Sequence, residues 1–447
     1  MLSFLEAVAA HPDLELHSLV VLKSGRTLVE HYWTPWQAED RPLVYSVSKT
    51  LTATAIGLAI GEGRLHLDDP VVALLPEADP GDPVVSQITV HHLLSMSTGH
   101  DQDTIEAAIG FPEAEWVSRL LAVRPQTPVG SRHVYNNGAS FLLGEIVRRV
   151  TGVDLVDYLR PRMSEPLGIE LHWDTDEAGR ALGWSGAHLR PIDLAKIGEL
   201  LRCDGVWEGT RLLPEGWVSR ATSRQIPTLD PTPEWNLGYG YQCWMSREGF
   251  RLDGAFGQFS LVIPERELVI AITSAQSFTQ ELLDLVWDQL IPELPSEPTP
   301  AGHDALPVPA DAEVGNEWTA DGPAIPGTWP TREEQQNLPE LTRLWARRDG
   351  AGYRLGFAHS GATAELVAEP GSWRRQQLVL GEVSIPVAVA AGTDASGVLS
   401  VRIAFIETPH TLRLDLNPSG AAQQGWSVSP LHTAELGLLR ISSADGR

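Results

Sequence analysis

Hydrophobic and polar positions divide the chain into segments with two different periods. Near the N-terminus, the apolar or alternating runs 17–22 and 27–32 flank the polar Lys23-Ser-Gly-Arg26 and predict a β-hairpin. After Ser46 the spacing becomes that of a helix, which we expect to end at Gly61-Glu-Gly63. Helical spacing recurs further along, which predicts helices at 89–96, 112–123, 139–150, 155–159 and 193–202, with another beginning at 214.

Strand patterns return beyond these helices. We expect strands at 238–244, 257–263 and 268–273, the last two joined by the turn 264–267, and a final helix at 278–290. Because strands occur at both ends of the helical region, one antiparallel sheet can be built from both ends, with helices on its faces and a helical insertion. The sequence therefore predicts an α+β fold.

A change of composition divides the chain further. Residues 1–298 form the predicted α+β domain, and the proline-rich segment 299–310 reads as an extended linker. Residues 311–447 contain short alternating runs separated by turn signals, which predicts a second, mostly β domain. No recognisable group of reactive side chains occurs there, so the sequence assigns this domain no role.

Charge and cysteine usage exclude several classes of function. The 447 residues contain 33 basic and 58 acidic side chains, a net charge of −25, which disfavours nucleic acid and anionic membranes as partners. No run approaches the about 18 uninterrupted apolar residues of a membrane span. The first residues do not resemble a secretory leader, so we expect a cytoplasmic protein. Cys203 and Cys243 lack metal-ligand spacing, and no cofactor is expected.

Lysine is rare in this chain. Only three of the 33 basic residues are lysine, and one of them lies in Ser46-Val-Ser-Lys49 at the predicted start of a helix. A serine and a lysine three positions apart share one helix face. A desolvated lysine can lose its proton near neutral pH, whereas arginine cannot, and the positive end of the helix dipole disfavours the ammonium form. Lys49 could thus activate Ser46 as a nucleophile.

Two further segments carry polar groups at equivalent junctions. Tyr135-Asn-Asn137 follows a turn-rich stretch and precedes a predicted helix, and the segment 254–258 lies at the expected sheet edge. In this order, Ser46–Thr50, Tyr135–Asn137 and Gly183-Trp-Ser-Gly186 resemble the class C β-lactamase-like serine hydrolases of the penicillin-recognising superfamily. The resemblance extends from about Leu19 to Ser274, and Gly238-Tyr-Gly-Tyr241 is similar to a branch of esterases and amide-oligomer hydrolases.

The resemblance implies a role for each matched residue. Ser46 would be the acylated nucleophile and Lys49 its base. Tyr135 would pass protons to the leaving group and from the deacylating water, and Asn137 would orient the lysine and the substrate. The backbone N–H groups of Ser46 and Ala255 would bind the oxyanion. The family chemistry implies neither metal nor cofactor.

The third motif of the family is altered. Where relatives place a cation and a hydroxyl beside the substrate, this chain has Leu252-Asp253-Gly254. A β-lactam or a peptidoglycan stem presents a carboxylate that needs cationic partners, so we expect small neutral esters or amides instead. Leu252, Gly254 and Trp184 are predicted to contact the substrate. Strand alternation predicts that Arg251 faces a different side from Leu252.

Other interpretations remain open. A β-lactamase or D-amino-acid peptidase is the nearest enzymatic alternative, and a catalytically inactive binding or interaction protein is the alternative from another class. His91 and His92 are expected to make structural contacts, because neighbours on a helix point apart. Asp101 and Asp103 are expected in a loop or helix cap rather than in a metal site. The oligomeric state is not predicted.

Overall fold

The computed structural model describes residues 1–11, 13–78, 80–320, 322–327 and 335–441. The N-terminal part of the chain contributes eleven strands: β1 (Leu16–Lys23), β2 (Arg26–Thr34), β3 (His172–Trp173), β4 (Ala187–His188), β5 (Val206–Trp207), β6 (Thr210–Arg211), β7 (Trp244–Met245), β8 (Phe250–Gly254), β9 (Gln258–Ile263), β10 (Leu268–Ser274) and β11 (Gly302–Ala305).

Seven of these strands form one sheet, in the order β11-β2-β1-β10-β9-β8-β7. All neighbours are antiparallel except β11, which runs parallel to β2. The first hairpin therefore meets the last strands in the middle of the sheet, where Val20 is paired with Ala271. The predicted α+β fold, with one sheet built from both ends, is confirmed.

Ten α-helices accompany this sheet in the described part of the chain: α1 (Leu2–Ala10), α2 (Val47–Gly61), α3 (Val71–Leu74), α4 (Val90–Leu94), α5 (Trp116–Ala122), α6 (Asn137–Thr151), α7 (Leu155–Leu159), α8 (Pro191–Arg202), α9 (Trp217–Ala221) and α10 (Thr279–Leu285). Helix α2 is buried on all sides from residue 47 to residue 59, and its second half is mostly apolar. A helix with this pattern belongs inside a core, and α2 packs against α6 and β8. Helices α1 and α10 belong to a second core on the other face of the sheet.

The structure corrects some predicted elements. The predicted strand 238–244 is largely irregular, because Gly238 and Gln242 have positive φ angles of 109° and 56°, which a strand ladder does not accommodate. Only Trp244–Met245 pairs as β7. Helix α1 had not been predicted. Within the predicted linker, residues 302–305 contain no proline and can join the sheet as β11.

The C-terminal part consists of two sheets around a shared core. One has the order β12-β14-β15-β16 and the other β13-β21-β20-β19-β18-β17. Trp318, Tyr353 and Trp426 are among the large side chains buried between them. The strands are β12 (Glu317–Ala320), β13 (Ile325–Pro326), β14 (Thr342–Asp349), β15 (Gly352–His359), β16 (Ala362–Ala368), β17 (Arg374–Leu380), β18 (Val383–Thr393), β19 (Leu399–Phe405), β20 (Thr411–Leu416) and β21 (Ala422–Trp426).

The two parts of the chain pack closely together. Ala404 and Ile406 belong to the same apolar cluster as Leu16 of β1. Arg375 forms an ion pair with Asp40 at 2.6 Å, and the Leu43 N–H donates a hydrogen bond to the Glu407 carbonyl at 2.9 Å. The residues just before Ser46 are thereby held against the C-terminal part. The domain boundaries at 298 and 310 stay predictions.

Candidate active site

Ser46 and Lys49 meet at the N-terminal end of α2. Ser46 occupies the cap position of the helix, and Lys49 Nζ lies 2.8 Å from Ser46 Oγ. The Lys49 side chain is about 1% exposed. Burial lowers the pKa of Lys49 to about 7, against the opposing charges of Asp103 and Asp253. A substantial fraction of the lysine is therefore an uncharged amine at neutral pH, in contact with the serine hydroxyl.

The segment 183–187 supplies the second partner of Lys49. The Trp184 carbonyl accepts a hydrogen bond from Lys49 Nζ at 2.8 Å. On either side, Thr52 Oγ1 donates to the Gly183 carbonyl at 2.7 Å, and the Ala187 N–H donates to Ser48 Oγ at 3.0 Å. These three bonds fasten the segment along α2 and fix the amine in one orientation.

The Trp184 side chain is placed differently from the prediction. We expected it beside the substrate, but its indole is buried in the core among Trp116 and Phe141. Its backbone carbonyl reaches the site and its side chain does not. The motif therefore indicated the segment that contacts Lys49, but the contact is made by the Trp184 carbonyl and not by its indole.

Tyr135 lies beside the same pair. Its phenol lies near enough to the Ser46 hydroxyl for that group to oppose the rise of its pKa, and Lys49 Nζ is 4.9 Å from the centre of its ring. Burial raises the pKa of Tyr135 well above that of an ordinary phenol, and nearby acidic charges add to the effect. The ring stacks on Trp244, with centres 5.9 Å apart. Tyr135 is therefore a protonated, fixed phenol that can hand on a proton.

Asn137 is directed away from the role expected for it. Its amide Nδ2 donates to Asp103 Oδ2 at 2.6 Å, and its backbone N–H donates to Asp103 Oδ1 at 2.9 Å. Asp103 thus accepts from the first turn of α6, where a negative charge is favourable. This position agrees with the loop or cap role expected for Asp103. Its charge also raises the pKa of Lys49. The sequence contains no signal for this second effect.

Strand β8 brings Asp253 rather than Leu252 to the site. The Leu252 side chain is fully buried in the core, so the prediction that it contacts the substrate is wrong. Because side chains alternate along a strand, Arg251 and Asp253 share the opposite face. Asp253 is close enough for its charge to act on Lys49. The position of Leu252 in the motif predicted a substrate contact, whereas its apolar side chain packs in the core.

A buried arginine holds Asp253. Arg251 is fully buried, and its Nε donates to Asp253 Oδ2 at 2.8 Å. Its Nη1 lies 3.4 Å from Glu234 Oε2, and its guanidinium stacks 4.5 Å from the Trp235 ring centre. Burial raises the pKa of Asp253, while Arg251 and Lys49 oppose the shift. The charge of Arg251 is neutralised by these acids.

Gly254 allows β8 to approach the turn before Ser46. A Cβ at this position would lie 2.2 Å from the Val44 carbonyl oxygen. Ala255 consequently follows beside Tyr45. Among the described residues, neither the Ser46 nor the Ala255 backbone N–H donates to an acceptor. Two backbone donors are thus available at the mouth of the site.

The histidine pair has structural contacts. His91 Nδ1 lies 2.8 Å from the Tyr241 hydroxyl, and His92 belongs to the cap of α4 with Thr89.

Across the described ranges, no group of three or more His, Cys, Asp and Glu side chains is arranged to hold a metal ion. The helices within those ranges are also too short or too polar to cross a bilayer.

The C-terminal part reaches this site, which the sequence did not predict. Val428 packs against Tyr45 and Phe256. His432 lies close enough to Lys49 and Asp103 for their charges to act on its pKa, which burial and Lys49 lower. Residues 428–432 therefore border the site near the two backbone donors.

Comparison with known proteins shows the family of this chain. The Beta-lactamase family matches residues 8–290. The chain belongs to the Beta-lactamase family. Within the family, the 6-aminohexanoate-dimer hydrolase of Paenarthrobacter ureafaciens is 28% identical over 48% of this chain and 61% of its own length. The lovastatin esterase of Penicillium rubens is 26% identical over 36% of this chain and 47% of its own length.

The chain thus spans about half to two thirds of these two relatives. A solved structure, the octameric penicillin-binding protein homologue from Pyrococcus abyssi, is 19% identical with a TM-score of 0.54 and covers 90% of this chain and 97% of its own. At this identity the likeness concerns the fold alone, and it includes the C-terminal part. The family match and the named relatives together support an enzyme of the serine hydrolase class.

Proposed function

We propose that this chain hydrolyses small uncharged esters or amides through an acyl-enzyme on Ser46. The observation that carries the proposal is the 2.8 Å approach of Lys49 Nζ to Ser46 Oγ, with a lysine pKa of about 7. An uncharged amine in that position accepts the hydroxyl proton as the serine attacks. The named hydrolase and esterase relatives are consistent with both amide and ester substrates.

Acylation proceeds in two steps. Ser46 Oγ bonds to the substrate carbonyl carbon, and its proton passes to Lys49 Nζ. The resulting oxyanion is bound by the backbone N–H groups of Ser46 and Ala255, an interaction worth about 2.7–4 kcal/mol for one such donor. The carbonyl then re-forms, the bond to the leaving group breaks, and Tyr135 donates the proton that the leaving group needs and takes up the proton held by Lys49 Nζ.

Deacylation reverses the proton transfers. Water adds to the acyl carbon and gives its proton through Tyr135 to the Ser46–Lys49 pair, and the acid product leaves as Ser46 regains its hydrogen. Tyr135 suits this role because its raised pKa keeps it protonated between transfers. Asn137 is assigned an indirect role, since its amide is bound to Asp103 and holds an acidic group near the lysine.

The charge of the site favours neutral substrates. Asp253 occupies the position at which a carboxylate-binding member of the family would need a cation, and the adjacent Arg251 is already paired with Asp253. A carboxylate on the substrate would meet a negative group there. Neutral esters and amides are therefore preferred as substrates over β-lactams and peptidoglycan stems.

The test compares substrate classes and labels the nucleophile. We expect p-nitrophenyl acetate and butyrate to be hydrolysed with higher kcat/KM than nitrocefin. A fluorophosphonate probe should add to one serine, located by intact mass and peptide mapping, and Ser46→Ala should remove both labelling and turnover. Ser219→Ala is the control, because Ser219 is exposed on α9 and its hydroxyl donates to the Gly216 carbonyl at 3.1 Å, away from Lys49. A strong preference for nitrocefin would favour the β-lactamase alternative. Absence of labelling would favour the inactive binding protein.

A further inference from the structure

A cleft lies between the two parts of the chain, away from Ser46. Its volume is about 470 Å³, within the range of about 300–1,000 Å³ typical of small-molecule sites. It is bordered by the C-terminal strands β19 and β20 on one side and by α1, β1 and β2 on the other. The apolar side chains of its wall are Val8, Leu14, Leu16, Trp33, Leu306 and Trp373.

Two arginines face each other at the polar end of this cleft. Arg402 on β19 and Arg413 on β20 are directly opposite in the strand register, and both line the cleft. Like charges directly opposite in an antiparallel pair are destabilising. An anion placed between the two guanidinium groups would relieve this repulsion.

Neither guanidinium has an acidic partner among the described residues. Arg413 Nε is buried and without a hydrogen-bond acceptor, and Arg402 Nη1 donates only to the Pro307 carbonyl, at 2.8 Å. Thr411, about 3% exposed, also lines the cleft, and its Oγ1 has no partner in the described part of the chain. Buried donors without acceptors are costly.

The nearby acids are engaged elsewhere. Two acids also line the cleft, and each contacts a histidine: Glu15 Oε1 lies 3.3 Å from His17 Nε2, and Asp304 Oδ2 lies 3.0 Å from His31 Nε2. Asp415 Oδ1 accepts a hydrogen bond from Ser400 at 2.7 Å. Burial and the charge of Arg413 lower the pKa of Arg402 despite Glu15 and Asp415. The two guanidinium groups and the Thr411 hydroxyl therefore remain without an acidic partner in the described part of the chain and can donate to an anion.

We propose that this cleft binds amphiphilic carboxylates, with the carboxylate held by Arg402, Arg413 and the Thr411 hydroxyl and the hydrocarbon chain against the apolar wall. A guanidinium binds a carboxylate with two parallel hydrogen bonds, and Trp33 and Trp373 offer flat apolar faces to an alkyl chain. The site is independent of the hydrolytic chemistry, because none of its residues contacts Ser46 or Lys49.

The first test uses the full-length wild type and a ligand series. Isothermal titration calorimetry with octanoate, acetate, 1-octanol and octylammonium separates the two halves of the ligand. We expect octanoate to bind at least tenfold more tightly than either acetate or 1-octanol, and octylammonium not to bind. Equal binding of octanoate and 1-octanol, or no binding of octanoate, would overturn the proposal.

The second test places the ligand in the cleft. Arg413→Gln and Arg402→Gln should each weaken octanoate binding at least tenfold. Arg354→Gln, which removes a partly exposed arginine of β15 paired with Asp349 of β14, should leave it unchanged. Because each cleft variant removes one of two opposed charges, neither should have a lower Tm than wild type without ligand. Unchanged octanoate affinity in both cleft variants would contradict the proposed site. If one variant fails to fold, the other variant and the ligand series with the wild type still test the proposal.

Discussion

The Tyr45 hydroxyl lies 2.6 Å from His410 Nε2, although the two residues are 365 positions apart. His410 Nδ1 is 2.8 Å from the Val428 carbonyl, so Nδ1 carries the hydrogen, Nε2 is the acceptor and the phenol donates. Tyr45 precedes Ser46 and has a φ angle of 48°, a strained value for a residue with a Cβ. The bond holds the strained turn beside the serine from the C-terminal part of the chain.

Loss of this bond should affect catalysis more than substrate binding. We expect His410→Phe to lower kcat by about tenfold with little change in KM, since a small displacement of Ser46 disturbs the attack geometry. His410→Gln keeps a hydrogen-bonding side chain and should recover part of the rate. Steady-state kinetics with p-nitrophenyl butyrate measure both, and a purely structural role would instead lower the Tm of both variants while leaving kcat per folded molecule unchanged.

The same histidine should make stability fall at acid pH. Burial lowers the pKa of His410 to about 3, whereas in the unfolded chain it is about 6.5. Between these values the unfolded state binds the extra proton, so stability is lost as the pH falls below about 6.5, by up to about 1.4 kcal/mol per pH unit for one proton. Urea unfolding at pH 7 and pH 5 should show a smaller difference for His410→Gln than for wild type. If wild type and His410→Gln lose the same free energy of unfolding between pH 7 and pH 5, other groups cause the acid sensitivity.

Activity should rise with pH through a midpoint near 7. The uncharged form of Lys49 accepts the serine proton, and burial lowers its pKa to about 7, so kcat/KM should increase as the pH passes this value and then level off. Lys49→Arg, which stays charged, should remove the activity. The measurement is kcat/KM for p-nitrophenyl butyrate between pH 5.5 and 8.5, and a profile without an ionisation in this range would exclude Lys49 as the base.

Removal of the charge of Asp253 should change both pH dependence and substrate choice. Asp253 stabilises the ammonium form of Lys49, so in Asp253→Asn the midpoint of the kcat/KM profile should move to lower pH. The ratio of kcat/KM for an anionic ester to that for its neutral analogue should rise severalfold. Arg251 keeps Glu234 as a partner in this variant. Glu248→Gln, an exposed acid paired with Arg266, is the control and should alter neither quantity.

A methyl group at position 254 should disrupt the site. A Cβ there would lie 2.2 Å from the Val44 carbonyl oxygen, which forces β8 and the turn before Ser46 apart. We expect Gly254→Ala to lose about 1–3 kcal/mol of stability by overpacking, together with most of the activity. Gly322→Ala is the matched control, because a Cβ at Gly322 has nothing within 4 Å. Urea unfolding and turnover of p-nitrophenyl butyrate compare the two, and equal behaviour would contradict the close approach.

Short-range patterns in the sequence determined a large part of this protein. Periodicity predicted α2, α6 and α8 and the strands of both sheet ends, because helices and strands place every third or fourth, or every second, side chain on one face. The three-residue spacing of Ser46 and Lys49 is a property of the helix itself. The resemblance added the Tyr135 segment, whose phenol lies at the same pair.

Only the tertiary structure decided which atoms surround that pair. The Trp184 carbonyl reaches Lys49 from 135 positions away, Asp103 takes the amide of Asn137, and His410 reaches Tyr45 from the other part of the chain. Strand alternation predicted that Arg251 and Leu252 face different sides of the strand but not which side is the core. These contacts depend on how distant elements pack, and the local periodicity of a sequence carries no record of that packing.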